Sequence, residues 1–121
     1  MNDKSKHRKI VFYKNYFSDF FVKQEENVKS KIVWIFQLIE ELQRVPETFL
    51  KHVESTEGLY EIRVRTGKNI YRIFCFFDEG RIIVIINSFQ KKTKKTPRKE
   101  IKLAMKIKKE YFNEKEKFKN S

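Results

Sequence analysis

A chain of 121 residues with 40% hydrophobic and 15% aromatic residues can build one modest core and leaves no room for a second domain, so a single domain over residues 1–121 is expected. Lysine and arginine number 28 against 16 aspartate and glutamate, a formal charge of +12, and +9 of it falls in residues 91–121, where 13 basic side chains meet 4 acidic ones. A cationic field of that density suits a polyanion, nucleic acid or an anionic surface, while the longest apolar runs, residues 32–36, 73–77 and 82–86, fall far short of the roughly 20 residues a spanning helix needs.

The polar start, Met1 to Lys9, lacks a signal-peptide segment, and the single cysteine, Cys75, excludes an intramolecular disulfide. A cytoplasmic, reducing location is therefore expected, with Cys75 as core packing. Residues 8–13 read as a short first strand, and Tyr13, Phe17, Phe20 and Phe21 then recur at helical spacing. A second, clearer helix carries Val28, Ile32, Ile35, Phe36, Ile39 and Leu42 on one stripe and should end at Arg44 or Val45, because Pro46 disfavours helical geometry in the residue before it.

From residue 59 the period drops to two, with Tyr60, Ile62 and Val64 on one face and Glu61, Arg63 and Arg65 on the other. Gly67-Lys68 and Glu79-Gly80 mark tight turns, so residues 59–66, 69–78 and 81–90 form an antiparallel meander. The last of these strands is apolar on both faces over residues 82–86 and should be a covered, central strand. Thr96 and Pro97 read as the N-cap and first-turn residue of a basic helix over about 97–114, striped by Leu103, Ala104, Ile107 and Tyr111 and frayed near Lys115. The order strand, helix, helix, three strands, helix is that of an α+β protein with a small, twisted, mainly antiparallel sheet packed by helices.

Three glycines, Gly58, Gly67 and Gly80, cannot assemble a phosphate loop or dinucleotide fingerprint, and no metal-ligand spacing occurs, so neither a cofactor nor a metal is expected. His7 and His52 are the only histidines, one near the N-terminus and one in the loop after the second helix. His52 reads as a solvated loop residue, with RNA contact as its functional alternative. Arg72, set among Ile70, Phe74 and Phe76, needs a partner, either a carboxylate such as Glu61 or an anionic ligand. With Arg63 and Arg65 it would suit the extra negative charge of a phosphorane-like transition state. Past the last strand, Lys91, Lys92, Thr93, Lys94, Lys95 and Thr96 lead into a helix N-terminus where a phosphate could bind, and Phe89 or Tyr71 could stack on a base.

Residues 59–63 (Leu-Tyr-Glu-Ile-Arg), residues 71–74 (Tyr-Arg-Ile-Phe) and the stretch from Phe89 through Lys91-Lys92-Thr93 to Thr96-Pro97, in that order, resemble the RelE/ParE toxin superfamily, most closely its HigB-like, phage-derived branch. The resemblance covers nearly the whole chain. It implies a RelE-like fold and a ribosome-dependent mRNA endonuclease that needs no metal. It further implies neutralisation by a cognate antitoxin, commonly a helix-turn-helix protein, with a homodimer or a toxin–antitoxin heterotetramer as assembly.

By that similarity Arg63 and Arg72 would polarise the scissile phosphate, and Lys91 or Lys92 would neutralise developing charge or assist the leaving 5′-oxygen. Glu61 would be either a base or the partner that orients Arg63. Several relatives place a tyrosine or histidine near the C-terminal end as acid, base or stacking group; here Tyr111 and Phe112 stand in a helix instead, which leaves the general acid open. The alternatives are a gyrase-inhibiting toxin of the ParE type and a non-enzymatic basic RNA- or ribosome-binding module, in which the same charges act only as phosphate contacts.

Overall fold

The computed structural model describes residues 6–120; the first residues of the polar N-terminus and Ser121 lie outside the described residues. The elements in chain order are β1 (Lys9–Phe12), α1 (Tyr16–Phe21), α2 (Glu26–Glu41), β2 (Leu50–His52), β3 (Leu59–Thr66), β4 (Asn69–Asp78), β5 (Ile82–Lys91) and α3 (Arg98–Lys119). They form one five-stranded sheet in the order β1-β5-β4-β3-β2, with β1 parallel to β5 and the other three pairings antiparallel. The α+β, mainly antiparallel architecture is as expected, but the expected order lacks β2. Three residues pairing Leu50 with Ile62 and His52 with Tyr60 are too short to show a period.

The alternation in β3 sorts the molecule into two cores. Ile62 and Val64 face Val28, Ile32, Ile35 and Ile39 of α2 and Phe17 of α1. Leu59 turns the other way and joins Phe74, Phe76, Val84 and Ile86 beneath Ala104 and Ile107 of α3. Strand β5 is therefore covered on both faces and flanked by β1 and β4, which accounts for its unbroken apolar run. Cys75 is fully buried in the first core, and burial pushes its thiol far above the ordinary range, so it is inert packing.

Three boundaries depart from expectation for local reasons. Helix α2 stops at Glu41, short of Arg44, because Leu42 is extended (ψ 138) and the Arg8 guanidinium takes the end carbonyls of Ile39, Leu42 and Gln43 at 3.1, 2.7 and 3.0 Å. Tyr13 leaves the stripe of α1: Lys14 adopts φ 54, and Tyr13 packs in the α3-side core with Tyr111. Helix α3 has Pro97, not Thr96, at its N-cap position, with no side-chain cap, and it runs on to Lys119.

Fraying near Lys115 is prevented by an ion pair. Lys115 Nζ lies 2.8 Å from both Asp78 carboxylate oxygens and 2.6 Å from Glu79 Oε2, and the Tyr111 hydroxyl donates to Asp78 Oδ2 at 2.6 Å. Burial pushes the Asp78 carboxyl up, but the hydrogen bonds from Lys115 and Tyr111 outweigh it and hold the group below its ordinary range.

One irregularity positions the site. Ile73 pairs with Ser88 while Cys75 pairs with Ile85, so Ile86 and Asn87 of β5 together oppose Phe74 of β4. This bulge shifts the phase of β5 by one residue. Val84 and Ile86 face α3 before it, and Phe89 does so after it, its ring 5.6 Å from Phe74. Two residues further on, Lys91 returns to that same face.

Candidate functional site

The period of two puts Glu61, Arg63 and Arg65 on the α3 side of β3, and the two-residue turn at Gly67 (φ 59) brings β4 back with Arg72 directly opposite Arg63. Across β4, Phe89 is the register partner of Arg72 and Lys91 that of Ile70. Four of the expected site residues, Glu61, Arg63, Arg72 and Lys91, therefore converge at one end of the sheet.

Glu61 is the hub. Its Oε2 lies 3.4 Å from Arg63 Nε and 3.5 Å from Arg72 Nε, and both Glu61 and Arg72 are buried, at 8% and 5% exposure. Neither contact meets hydrogen-bond geometry, so Arg63 Nε and Arg72 Nε are buried N–H donors with no acceptor among the described residues. A buried donor left in that state costs on the order of 1–3 kcal/mol, and the oxygens of an anion would relieve it. Arg72 Nη1 donates to its neighbour's carbonyl, Tyr71 O, at 3.2 Å, and Arg63 Nη1 reaches Glu47 O at 3.5 Å.

The charges perturb one another. Burial lowers the Arg72 guanidinium from its ordinary value; Glu61 opposes that shift, and Arg63 and Arg65 add to it. Burial likewise lowers the Lys91 ammonium, with the Arg72 charge reinforcing it and Glu61 opposing. A lysine so placed gives up its proton more readily than a free one, as proton donation to a leaving oxygen requires.

Beside the arginines a cleft of ≈ 480 Å³ opens at the outer edge of the sheet. Strand β2 begins only at Leu50, and before it, past Phe49, whose carbonyl takes the Arg63 N–H at 2.8 Å, no strand covers the edge of β3 among the described residues. Arg63, Arg65 and Arg72 of β3 and β4 line the cleft together with Lys31 and Trp34 of α2 and with Phe49. Sequence reasoning missed these last three, although Trp34 lies visibly off the apolar stripe of α2.

Several expected contacts do not join the cluster. Tyr71 points to the opposite face, 4% exposed against Phe20 in the core under α1 and α2, and cannot stack on a base. His52 lies in β2 rather than a loop, its Nε2 3.0 Å from Thr56 O and its ring edge-on to Tyr60, which faces the α2 side. Lys92, Thr93, Lys94 and Lys95 are exposed in the link to α3, where the Thr93 hydroxyl bonds Lys95 O at 2.7 Å. Phe89 is half-buried against Phe74, on the site's face. Tyr111 is held at the far end of β4 by Asp78, and burial, with that bond, pushes its hydroxyl up to about 12. It is therefore removed from any proton transfer at Arg72.

Among the described residues no cluster of three or more His, Cys, Asp or Glu side chains is placed to hold a metal ion, and no helix is long and apolar enough to cross a membrane.

Residues 19–109 match the family described as phage derived protein Gp49-like. The chain belongs to this family, in agreement with the phage-derived, RelE/HigB-type branch to which the sequence motifs point. Among solved structures it is similar to a chain of the archaeal RelE–RelB complex from Pyrococcus horikoshii OT3, at 19% identity and a TM-score of 0.49, over 68% of this chain and 92% of that one. No curated protein matches it.

Proposed function

We propose that the protein is the toxin of a toxin–antitoxin pair and that it cleaves mRNA on the ribosome without a metal. The observation that carries this reading is the convergence of Arg63 and Arg72 on a single buried carboxylate beside an open cleft, with two guanidinium donors left unpartnered and Lys91 near enough to feel all three charges. Three cations around one carboxylate exceed what Glu61 alone can neutralise, and the arrangement suits a group that gains negative charge during reaction. The family resemblance supplies the substrate: an RNA phosphate attacked by its own 2′-hydroxyl.

In that reaction the 2′-oxygen loses its proton and bonds to phosphorus, and the 5′-oxygen departs and takes up a proton. Arg63 and Arg72 would hold the non-bridging oxygens, and Lys91, with its lowered proton affinity, would protonate the 5′-oxygen. Glu61 would set the two guanidinium planes. Lys92, Lys94 and Lys95 would add salt-sensitive attraction for the RNA backbone, and the ribosome would complete the proton relay. A cognate antitoxin, of the helix-turn-helix type that such toxins commonly have, would silence the protein by covering this end of the sheet, and a toxin–antitoxin heterotetramer is the assembly this reading anticipates.

The test is induced expression in bacteria of the wild type and of an Arg63→Ala, Arg72→Ala double variant, with mapping of new mRNA 5′ ends. In-frame cuts and growth arrest with the wild type, both lost in the variant, are the expected result. Arrest without cuts would transfer the reading to gyrase inhibition, and no arrest would leave a binding module.

A further inference from the structure

Trp34 is the anomaly of α2. The helix buries Val28, Ile32, Ile35 and Ile39 on one stripe, yet its single tryptophan falls off that stripe and is 47% exposed. An indole left half in water forfeits much of the burial free energy that its large apolar surface could contribute. Phe49 meets the ring edge-on at 5.7 Å and 85°, which fixes its plane, and Lys31 Nζ stands 5.7 Å from its centre, so a cation already lies over the π-face.

The ring opens on the same cleft as Arg63, Arg65 and Arg72. Four cations line that cleft, Lys31 included, and no carboxylate does. Its volume of ≈ 480 Å³ lies within the range of small-ligand sites. The strands thus contribute guanidinium groups suited to a phosphate, and α2 contributes an aromatic face braced by Phe49 beside a cation. Phosphate donors and an aromatic platform in one cleft match a nucleotide: the backbone on the guanidinium groups, the base stacked on the ring. An acidic peptide would satisfy the arginines but would have no need of the flat ring.

We propose that Trp34 is the base-stacking platform of this site, holding the nucleobase adjacent to the phosphate that Arg63 and Arg72 grip, with Lys31 moving from the ring to the backbone as the base arrives. The proposal rests on the RNA-cleaving reading given above and adds to it the residue that positions the substrate's base.

Because Trp34 is the only tryptophan in the chain, its fluorescence reports this position alone. The probe is a short 2′-O-methylated oligoribonucleotide of mixed sequence, which cannot be cleaved, titrated into the full chain while its own fluorescent label reports binding by anisotropy. Binding should quench Trp34, and an abasic oligonucleotide of equal length should bind through the arginines with little quenching. Trp34→Ala should weaken the base-containing probe about tenfold and leave the abasic probe unchanged, while Trp34→Phe should retain most of the affinity. Melting curves identify any variant that has lost its fold, and the quenching of the wild type stands independently of all variants.

Binding that is sensitive to Arg72 but leaves Trp34 fluorescence and Trp34→Ala affinity unchanged overturns the proposal and spares the RNA-cleaving reading. Failure of both oligonucleotides to bind overturns both. Unchanged RNA binding in Trp34→Ala together with lost neutralisation by the antitoxin also overturns it and makes Trp34 a protein-docking residue.

Discussion

Arg63 and Arg72 stand directly opposite each other across β3 and β4, and both lean on one oxygen, Glu61 Oε2, at 3.4 and 3.5 Å. Like charges facing each other in a sheet repel, so the carboxylate between them is what permits the pair to coexist. Glu61→Gln, which keeps the shape and removes the charge, is expected to lower stability by about 2 kcal/mol, less than for a fully buried pair because Arg63 reaches solvent. Cleavage should fall at least about tenfold beyond what the folded fraction explains, since disordered guanidinium groups lose their aim. Thermal melts and single-turnover rates on the variant decide this.

In the proposed reaction Lys91 would set the pH dependence on the alkaline side. Burial and the Arg72 charge lower its proton affinity, so as pH rises it loses its proton below the ordinary 10.5 of a lysine. A group that must be protonated to serve the leaving oxygen then fails as pH rises through that lowered value. The rate should fall on the alkaline side, and Lys91→Arg, which keeps a cation of far higher pKa, should shift that limb upward at a reduced rate. Identical alkaline limbs in the two proteins would remove Lys91 from the proton relay.

The Asp78 pin sets a different pH dependence, that of stability. Its carboxyl lies below the ordinary 3.8 in the fold, so its contribution is fully present above 3.8 and is lost as pH falls through the lowered folded value. Asp78→Asn should cost about 2 kcal/mol at neutral pH and flatten the acid limb of the stability curve. Chemical denaturation across pH, wild type against variant, shows whether the two curves converge at low pH as required.

Tyr111 is six residues along β4 from Arg72 by way of Asp78, roughly 20 Å at the rise of a strand. Tyr111→Phe is therefore expected to lower stability by about 1 kcal/mol and leave cleavage unchanged. A large loss of rate in a folded Tyr111→Phe protein would reinstate the tyrosine as an acid.

Much of this arrangement was legible before the fold was known, because period-two alternation and a two-residue turn dictate that Glu61, Arg63, Arg65 and Arg72 share a face. The same rule places Tyr71, the neighbour of Arg72, on the other face, so its expected stacking role contradicted its own strand. Lys91 reaches the arginine face for a reason the sequence hides. The apolar run at 82–86 has no polar side by which to read its phase, and only the bulge at Ile86 and Asn87 turns Lys91 toward the arginines. Strand β2, three residues long, left no period, and so His52 read as a loop residue. The cleft was invisible because it depends on where β2 begins, whereas Trp34 could have been found as the aromatic off its helix stripe.

The most direct test of the central claim is single-turnover cleavage of a defined mRNA on programmed ribosomes by the wild type and by Arg72→Gln, with circular dichroism to establish that both are folded. The account predicts cuts within the decoding site by the wild type and a loss of about 10²–10³ in rate in the variant, the magnitude associated with removing a principal stabiliser of transition-state charge. A folded Arg72→Gln protein that cuts at the wild-type rate would contradict it, as would a wild type that binds ribosomes and leaves the mRNA intact.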